Sequence, residues 1–295
     1  MSLEKNSVIL RAMSRDGGLT ALVCDSTAIV GEAIAIHNTA PTASAALGRT
    51  LTGASMMGCM LKNEGESLSL QFKGDGAVGT LMAVSDYAGN VRGYAGNPRA
   101  DLPVNAKGKL DVGGIVGQGA MYVIRQLSQG EPYIGQTEIV SGEIAEDITS
   151  YYANSEQVPT VCSLGVLIAP DGSCINAGGI LVQLLPFAPE ELINALEKSI
   201  AQLPSMTDML SAGMSLEQIM ARTLGEIEFD VFDELDVAYK CNCSRERMAS
   251  ALLSVGKSDL EQIISEGKDT ELVCHFCNNA HVFTIDEITK WLARQ

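Results

Sequence analysis

Two closely spaced thiol pairs, Cys241-Asn-Cys243 and Cys274-His-Phe-Cys277, stand 30 residues apart towards the C-terminal end of this chain. They constrain the fold more than any other feature, because four thiolates paired in this way complete the tetrahedral shell of a Zn²⁺ ion. A shell made only of cysteines is closed, so the site is structural rather than catalytic. A segment this small rarely holds together on its own apolar core, and metal-binding free energy then becomes folding free energy. The CxC spacing is tighter than the usual C-x₂₋₄-C. His275 and His281 are placed around the site or at the surface, since four thiols already fill it.

The same residues are chemically labile. A disulfide cannot serve as a thiolate ligand, so oxidation of either pair would discharge the metal and remove the segment's main support. Cys241 and Cys243 lie near the geometric limit for an unstrained bridge, which makes a bond between them relatively oxidising and reversible. Cys24, Cys59, Cys162 and Cys174 are different: they are scattered singly beside apolar neighbours such as Val23, Met60, Val161 and Ile175, and are expected to be packing thiols. The histidines are His37, His275 and His281, two of them in or beside the C-terminal cluster. Nucleophilic catalysis has almost no parts here, and the expectation is a protein that is not an enzyme.

Charge placement divides the chain. The total of 20 basic and 36 acidic side chains gives a net −16, which disfavours a nucleic-acid partner. Residues 184–239 carry 2 basic and 11 acidic side chains, net −9, whereas 240–295 carry 7 and 8, net −1. The expected organisation is a mixed α/β core over 1–183, an acidic helical linker over 184–239 and a small zinc-binding domain over 240–295, an α+β class overall. Eight cysteines are too few for a disulfide scaffold, the first seventeen residues interleave charges with their few apolar residues and read as no secretory leader, and no uncharged apolar run approaches a membrane span. A reducing cytoplasm is the expected compartment.

Within the first segment, ALVCDST, AIVGEAIAIH, SLSLQFK, GTLMAVSD and NVRGYAG read as strands separated by Gly, Asp and Asn. SVILRAM near the start alternates poorly. Thr42 to Lys62 reads as a buried helix with Leu47, Leu51, Ala54, Gly58 and Leu61 along one face, and Met56, Met57 and Met60 as core. Gly119 to Gln129 reads as a further helix. Gly74, Gly76 and Gly79 match G-x-G-x-x-G, but a strand-like run follows where a dinucleotide site needs a helix, so the glycines read as a hairpin turn. No P-loop motif is present. In the acidic segment, helices are expected from Pro189 to Leu203, over Ser205 to Leu210, and from a cap at Ser215 to Leu224. Elements this short draw their stability from packing.

LGRTLTGASMMGCMLK, LQFKGDGAVG, GNVRGYAGNP, SEQVPTVCSLGVLI and above all CNCSRERMASALLSVGKSDLEQII with CHFCNNAHVF make the chain resemble, along essentially its whole length, the heat-shock protein 33 family of redox-regulated bacterial holdase chaperones. The resemblance implies one Zn²⁺ on Cys241, Cys243, Cys274 and Cys277 in a reduced, inactive state. It implies disulfides Cys241 to Cys243 and Cys274 to Cys277 on oxidation, a metastable linker that unfolds, homodimerisation on activation, and unfolded proteins as partners. Two other readings of the cysteines stay open: a thiol-disulfide oxidoreductase using the CxxC pair, and a zinc-ribbon nucleic-acid module. A helical stretch before the CxxC, in place of a βαβ pattern, weighs against the first, and the acidic chain weighs against the second.

Overall fold

The poor alternation of the first apolar run has a structural cause. β1 (Ser7–Ser14) is buried on both sides: Ile9 enters one apolar cluster, while Leu10 and Ala12 enter another. A strand covered on both faces has no polar face to alternate with. This computed structural model describes residues 6–292, so the first five residues of the N-terminal stretch read for a leader, and 293–295 of the C-terminal segment, lie outside the described residues.

After β1 come β2 (Leu19–Asp25), α1 (Thr27–His37), α2 (Pro41–Gly58), β3 (Ser67–Gly74), β4 (Thr80–Asp86) and β5 (Val91–Ala95). α3 (Val112–Val116), β6 (Gly119–Gln126), β7 (Tyr133–Glu138) and α4 (Ala145–Tyr151) follow, α4 running on into a π-helical turn at Tyr152–Glu156. The chain continues through β8 (Thr160–Ile168), β9 (Cys174–Leu184), α5 (Glu190–Ile200), α6 (Met206–Ser211), α7 (Leu216–Leu224) and β10 (Phe229–Val237). These strands build two antiparallel sheets, ordered β10-β1-β2-β9-β8 and β5-β4-β3-β6-β7.

α2 packs against strands of both sheets, so it is buried all round rather than along one stripe, with Leu47, Leu51, Met56 and Met57 almost inaccessible. Its Ala, Gly, Ser and Thr residues permit that closeness; a Cβ on Gly53 would stand 2.6 Å from Ile148. The hydroxyls of Thr50 and Thr52 donate to the carbonyls four residues back, which satisfies them without water. Each fully buried Leu here contributes about 1.5–3 kcal/mol.

The opposite face of the first sheet is covered by α5, α6 and α7. Leu192, Leu196, Met206, Met209, Ile219, Met220 and Leu224 close over Leu10, Ala21, Val23, Ile180 and Val182. Ser205 and Ser215 cap α6 and α7, each accepting from the N–H three residues on, and Gln218 completes a capping box with Ser215.

Several readings need correction. The segment after Gly119 is strand β6, paired with β3 and β7; Met121 and Val123 point into the core at a period of two that the helical reading overlooked. AIVGEAIAIH is helix α1, where Ile29, Val30 and Ala33 share the buried face at helical spacing. The acidic segment is helical only to Leu224, because β10 supplies the edge strand of the first sheet. The glycines at 74, 76 and 79 join β3 to β4 with no helix following. A Cβ on Gly74 or Gly76 would meet the carbonyls of Val116 or Ile115 at 1.9 and 2.2 Å, so bare backbone is needed where α3 crosses.

The chain divides between Lys240 and Cys241 into two compact units. The second contains α8 (Arg245–Leu253), α9 (Lys257–Ser265), the antiparallel hairpin of β11 (Thr270–Val273) and β12 (Ala280–Phe283), and α10 (Ile285–Leu292). Its buried apolar cluster among the described residues is small, Leu252, Leu260, Phe283 and Ile288, with partly buried side chains such as Ile263, Leu272 and Trp291 packed against it.

Candidate metal centre

Local backbone places the two thiol pairs. Cys274 to Cys277 form the turn between β11 and β12, directly after the last paired residues Val273 and Ala280. The Cys274 amide donates to Asn279 O at 2.9 Å, Asn278 N–H donates back to Cys274 O at 2.8 Å, and Asn278 takes the left-handed conformation that closes the turn. Cys241 and Cys243 lie in the extended stretch before α8, which Ser244 caps by accepting from Arg247 N–H. Arg247 also donates to Asn242 O, fixing the residue between the two thiols.

All four Sγ atoms lie within 4.8 Å of one another. Cys241 and Cys274 are 3.7 Å apart and Cys243 and Cys277 are 3.4 Å apart, and all four thiols are unbridged. A tetrahedral ion with ~2.3 Å bonds to sulfur needs edges of roughly 3.8 Å, so the set is suited to such an ion with small adjustments. Cys274 is buried and the other three are half-buried.

Electrostatics differ around the ring of thiols. Burial alone would raise the Cys274 thiol, but the amide groups of Phe276 and Cys277, then the thiols of Cys241 and Cys277, hydrogen-bond to it and bring it below the ordinary range. Burial pushes Cys241 and Cys243 up, and at Cys243 the hydrogen-bonded thiols of Cys277 and Cys241 add to the effect. Hydrogen bonding thus favours the charged form at Cys274, whereas burial disfavours it at Cys241 and Cys243. His281 Nε2 stands 3.9 Å from Cys243 Sγ, and His275 is exposed on the turn.

Sequence reasoning missed Arg245. It donates to Val282 O at 2.6 Å, pairs with both carboxylate oxygens of Glu287 at 2.8 and 2.9 Å, and lies 4.5 Å over the Phe283 ring. Two residues beyond Cys243, it ties the start of α8 to β12 and α10. A bidentate Arg–carboxylate pair fixes orientation as well as contributing energy. Its only sequence signal was position, two residues after the CxC.

The other cysteines are packing thiols. Cys24 and Cys59 are buried, and Cys162 and Cys174 are half-buried in β8 and β9. Burial holds Cys24 far above the ordinary thiol range and pushes Cys59, Cys162 and Cys174 up to about 12. None is poised to act as a thiolate.

Comparison with known proteins matches residues 7–284 to the family model described as Hsp33 protein. The chain belongs to the Hsp33 family. A relative named 33 kDa chaperonin in Lachnoclostridium phytofermentans is 44% identical, covering 98% of this chain and 99% of its own. One of the same name in Ruminiclostridium cellulolyticum is 46% identical over 95% and 96% of the two chains. The crystal structure of the Hsp33 homologue of Thermotoga maritima, also titled a 33 kDa chaperonin, superposes with a TM-score of 0.90 at 35% identity, covering 98% of this chain and 99% of that one. Among the described residues of this Hsp33 chain, no helix is long and apolar enough to cross a membrane.

Proposed function

We propose that this protein is a redox-regulated, ATP-independent holdase chaperone of the cytoplasm, whose reduced form is inactive. The observation that carries the reading is the four-thiol cluster in a unit with a minimal apolar core. Zn²⁺ bound there would cross-link the CxC stretch to the β11–β12 turn and supply most of that unit's folding free energy. Cys241, Cys243, Cys274 and Cys277 are its ligands, and the amides of Phe276 and Cys277 hydrogen-bond to the Cys274 sulfur in favour of its charged form.

On oxidation Cys241 bonds to Cys243 and Cys274 to Cys277. Two thiols and one hydrogen peroxide give one disulfide and two waters, so two equivalents of peroxide consume all four ligands. The small unit then loses its support. The acidic segment 184–239 is the second element: α5, α6 and α7 are each too short to be stable alone and depend on their packing against the first sheet. Their release would uncover Leu10, Ala21, Val23, Ile180 and Val182, an apolar surface on which unfolded polypeptides can be held. The net −16 keeps the loaded complex soluble, and activated chains pair as homodimers. Holding requires no catalytic group and no nucleotide.

The test measures zinc content, hydrophobic-dye binding and suppression of client aggregation in parallel on reduced and peroxide-treated protein. Zinc loss together with a rise in dye binding and in suppression is expected. Equal suppression by the reduced, zinc-loaded form would overturn the switch.

A further inference from the structure

β10 is an unusual edge strand. Six of the eleven residues from Glu226 to Asp236 are acidic, and most of its side chains face solvent, in contrast to the almost wholly buried β9. It pairs antiparallel with β1 from Ser7↔Val237 to Ser14↔Phe229, with an irregularity at Arg11/Ala12. Its polar side-chain contacts come from two arginines, Arg11 of β1 and Arg15 just beyond it, while Phe229, Leu235 and Val237 pack into the two apolar clusters. Arg11 lies 3.2 Å from Asp233 and 5.1 Å over the Phe232 ring, and Arg15 reaches Glu228 and Asp230 at 3.3 and 3.2 Å. The Arg15 pairs are exposed and therefore weak in salt.

The two ends of β10 are held unequally. Beyond Val237, Tyr239 donates to Gly93 O at 2.7 Å and meets His37 Nε2 at 3.1 Å, while Val91 N–H donates to Ala238 O and Lys240 N–H to Val91 O. That end is clamped. The Phe229 end has the exposed Arg15 pairs, the Arg15 N–H to Glu228 O bond, and the packing of Ile227 and Phe229 against the apolar cluster of α5, α6 and α7, which the proposed activation releases. A strand held in this way peels from Phe229 towards Val237.

Resting on the chaperone reading above, we propose that β10 is a displaceable occupant of the β1 edge, and that the vacated edge binds extended client segments by antiparallel strand addition. The kind of segment is the one β10 itself presents: an aromatic residue followed by an acid at Arg11, with further acids towards Arg15. Main-chain pairing supplies affinity without regard to sequence, and the two guanidinium groups supply preference. In the folded chain β10 covers an edge that would otherwise be a template for aggregation.

The experiment uses the full-length protein and a labelled peptide with the sequence of residues 226–237, followed by fluorescence anisotropy. Two further peptides carry N-methyl groups on one or the other alternate set of amides within residues 233–237, the stretch on one side of the register irregularity. The protein is assayed reduced, peroxide-treated, and as the reduced variant D230K/D233K, which repels β10 from Arg11 and Arg15 whether or not oxidation acts as a switch. The peptide is expected to bind the oxidised protein and the reduced variant at least 10-fold more tightly than the reduced parent. One methylated peptide should lose at least 10-fold and the other keep its affinity, because only one alternate set faces the edge. Equal binding of all three peptides means side-chain adhesion and overturns strand addition. If amide exchange shows β10 as protected as β2 in both the oxidised protein and the variant, the strand is not displaceable and the proposal fails. Client aggregation is measured on the same oxidised sample: suppression with equal binding of the three peptides defeats this proposal alone, whereas no suppression with selective binding to D230K/D233K defeats the redox reading and leaves the edge site standing.

Discussion

The two compact units solve the same stability problem by different means. Up to Lys240, two antiparallel sheets enclose α2 and a third layer of short helices closes the far face, so apolar packing is spread over many residues. From Cys241 onward, Leu252, Leu260, Phe283 and Ile288 form a small buried core, and four thiols converge in the same unit. The difference teaches where a reversible switch can sit. Dispersed packing fails gradually under single changes, whereas a unit held by one metal cluster fails as a whole when its ligands change chemistry.

The strongest way to break this comparison is Cys274→Ser. It should abolish stoichiometric zinc and unfold the C-terminal unit, a loss on the order of 10 kcal/mol, and by the switch proposed above loosen α5, α6 and α7 while the sheets around α2 stay folded. Amide exchange over 245–292 is the readout, and persistent protection there would show that the small core suffices.

Next in size is a matched pair of truncations. Leu51→Ala should cost about 2–5 kcal/mol in the first unit and leave zinc affinity alone. Phe283→Ala should cost about 3–5 kcal/mol and appear as weakened zinc affinity in a chelator competition, because folding and binding are one equilibrium there. An unchanged affinity for Phe283→Ala would mean the loops alone shape the site.

The pH responses should run in opposite directions. Cys59, Cys162 and Cys174 have folded-state values raised to about 12 by burial, against ~8.5 when unfolded. Their contribution is fully present below about pH 8.5 and is lost as pH rises towards 12, so the first unit's urea midpoint should fall between pH 8.5 and 10.5. The C-terminal unit should instead weaken as pH falls, since protons compete for its ligands. The smallest effect is Arg15→Ala, whose exposed pairs should add little stability at low salt and nothing at high salt. A larger loss would show β10 to be more firmly held than its exposure suggests.

Legibility in the sequence followed how local each signal was. The helix starts at Pro189 and Ser215 and the long helix read over Thr42 to Lys62, which ends at Gly58, were readable because caps, prolines and apolar spacing are local. β1, β6, α1 and β10 were misread or passed over because their state depends on what lies on each side. β1 loses its alternation by being buried twice, and β10 looks like solvated linker because its partner stands more than two hundred residues away.

What the sequence determined by itself is the chemistry: thiols paired at CxC and CxxC spacing, a concentration of acids ahead of them, and four single cysteines in apolar surroundings. Tertiary structure alone decided that the acidic segment covers one face of a sheet and supplies that sheet's edge strand, and that Arg245 braces the cluster. Spacing is written along the chain, whereas which face a helix covers and which edge a strand joins are settled by contacts between distant segments.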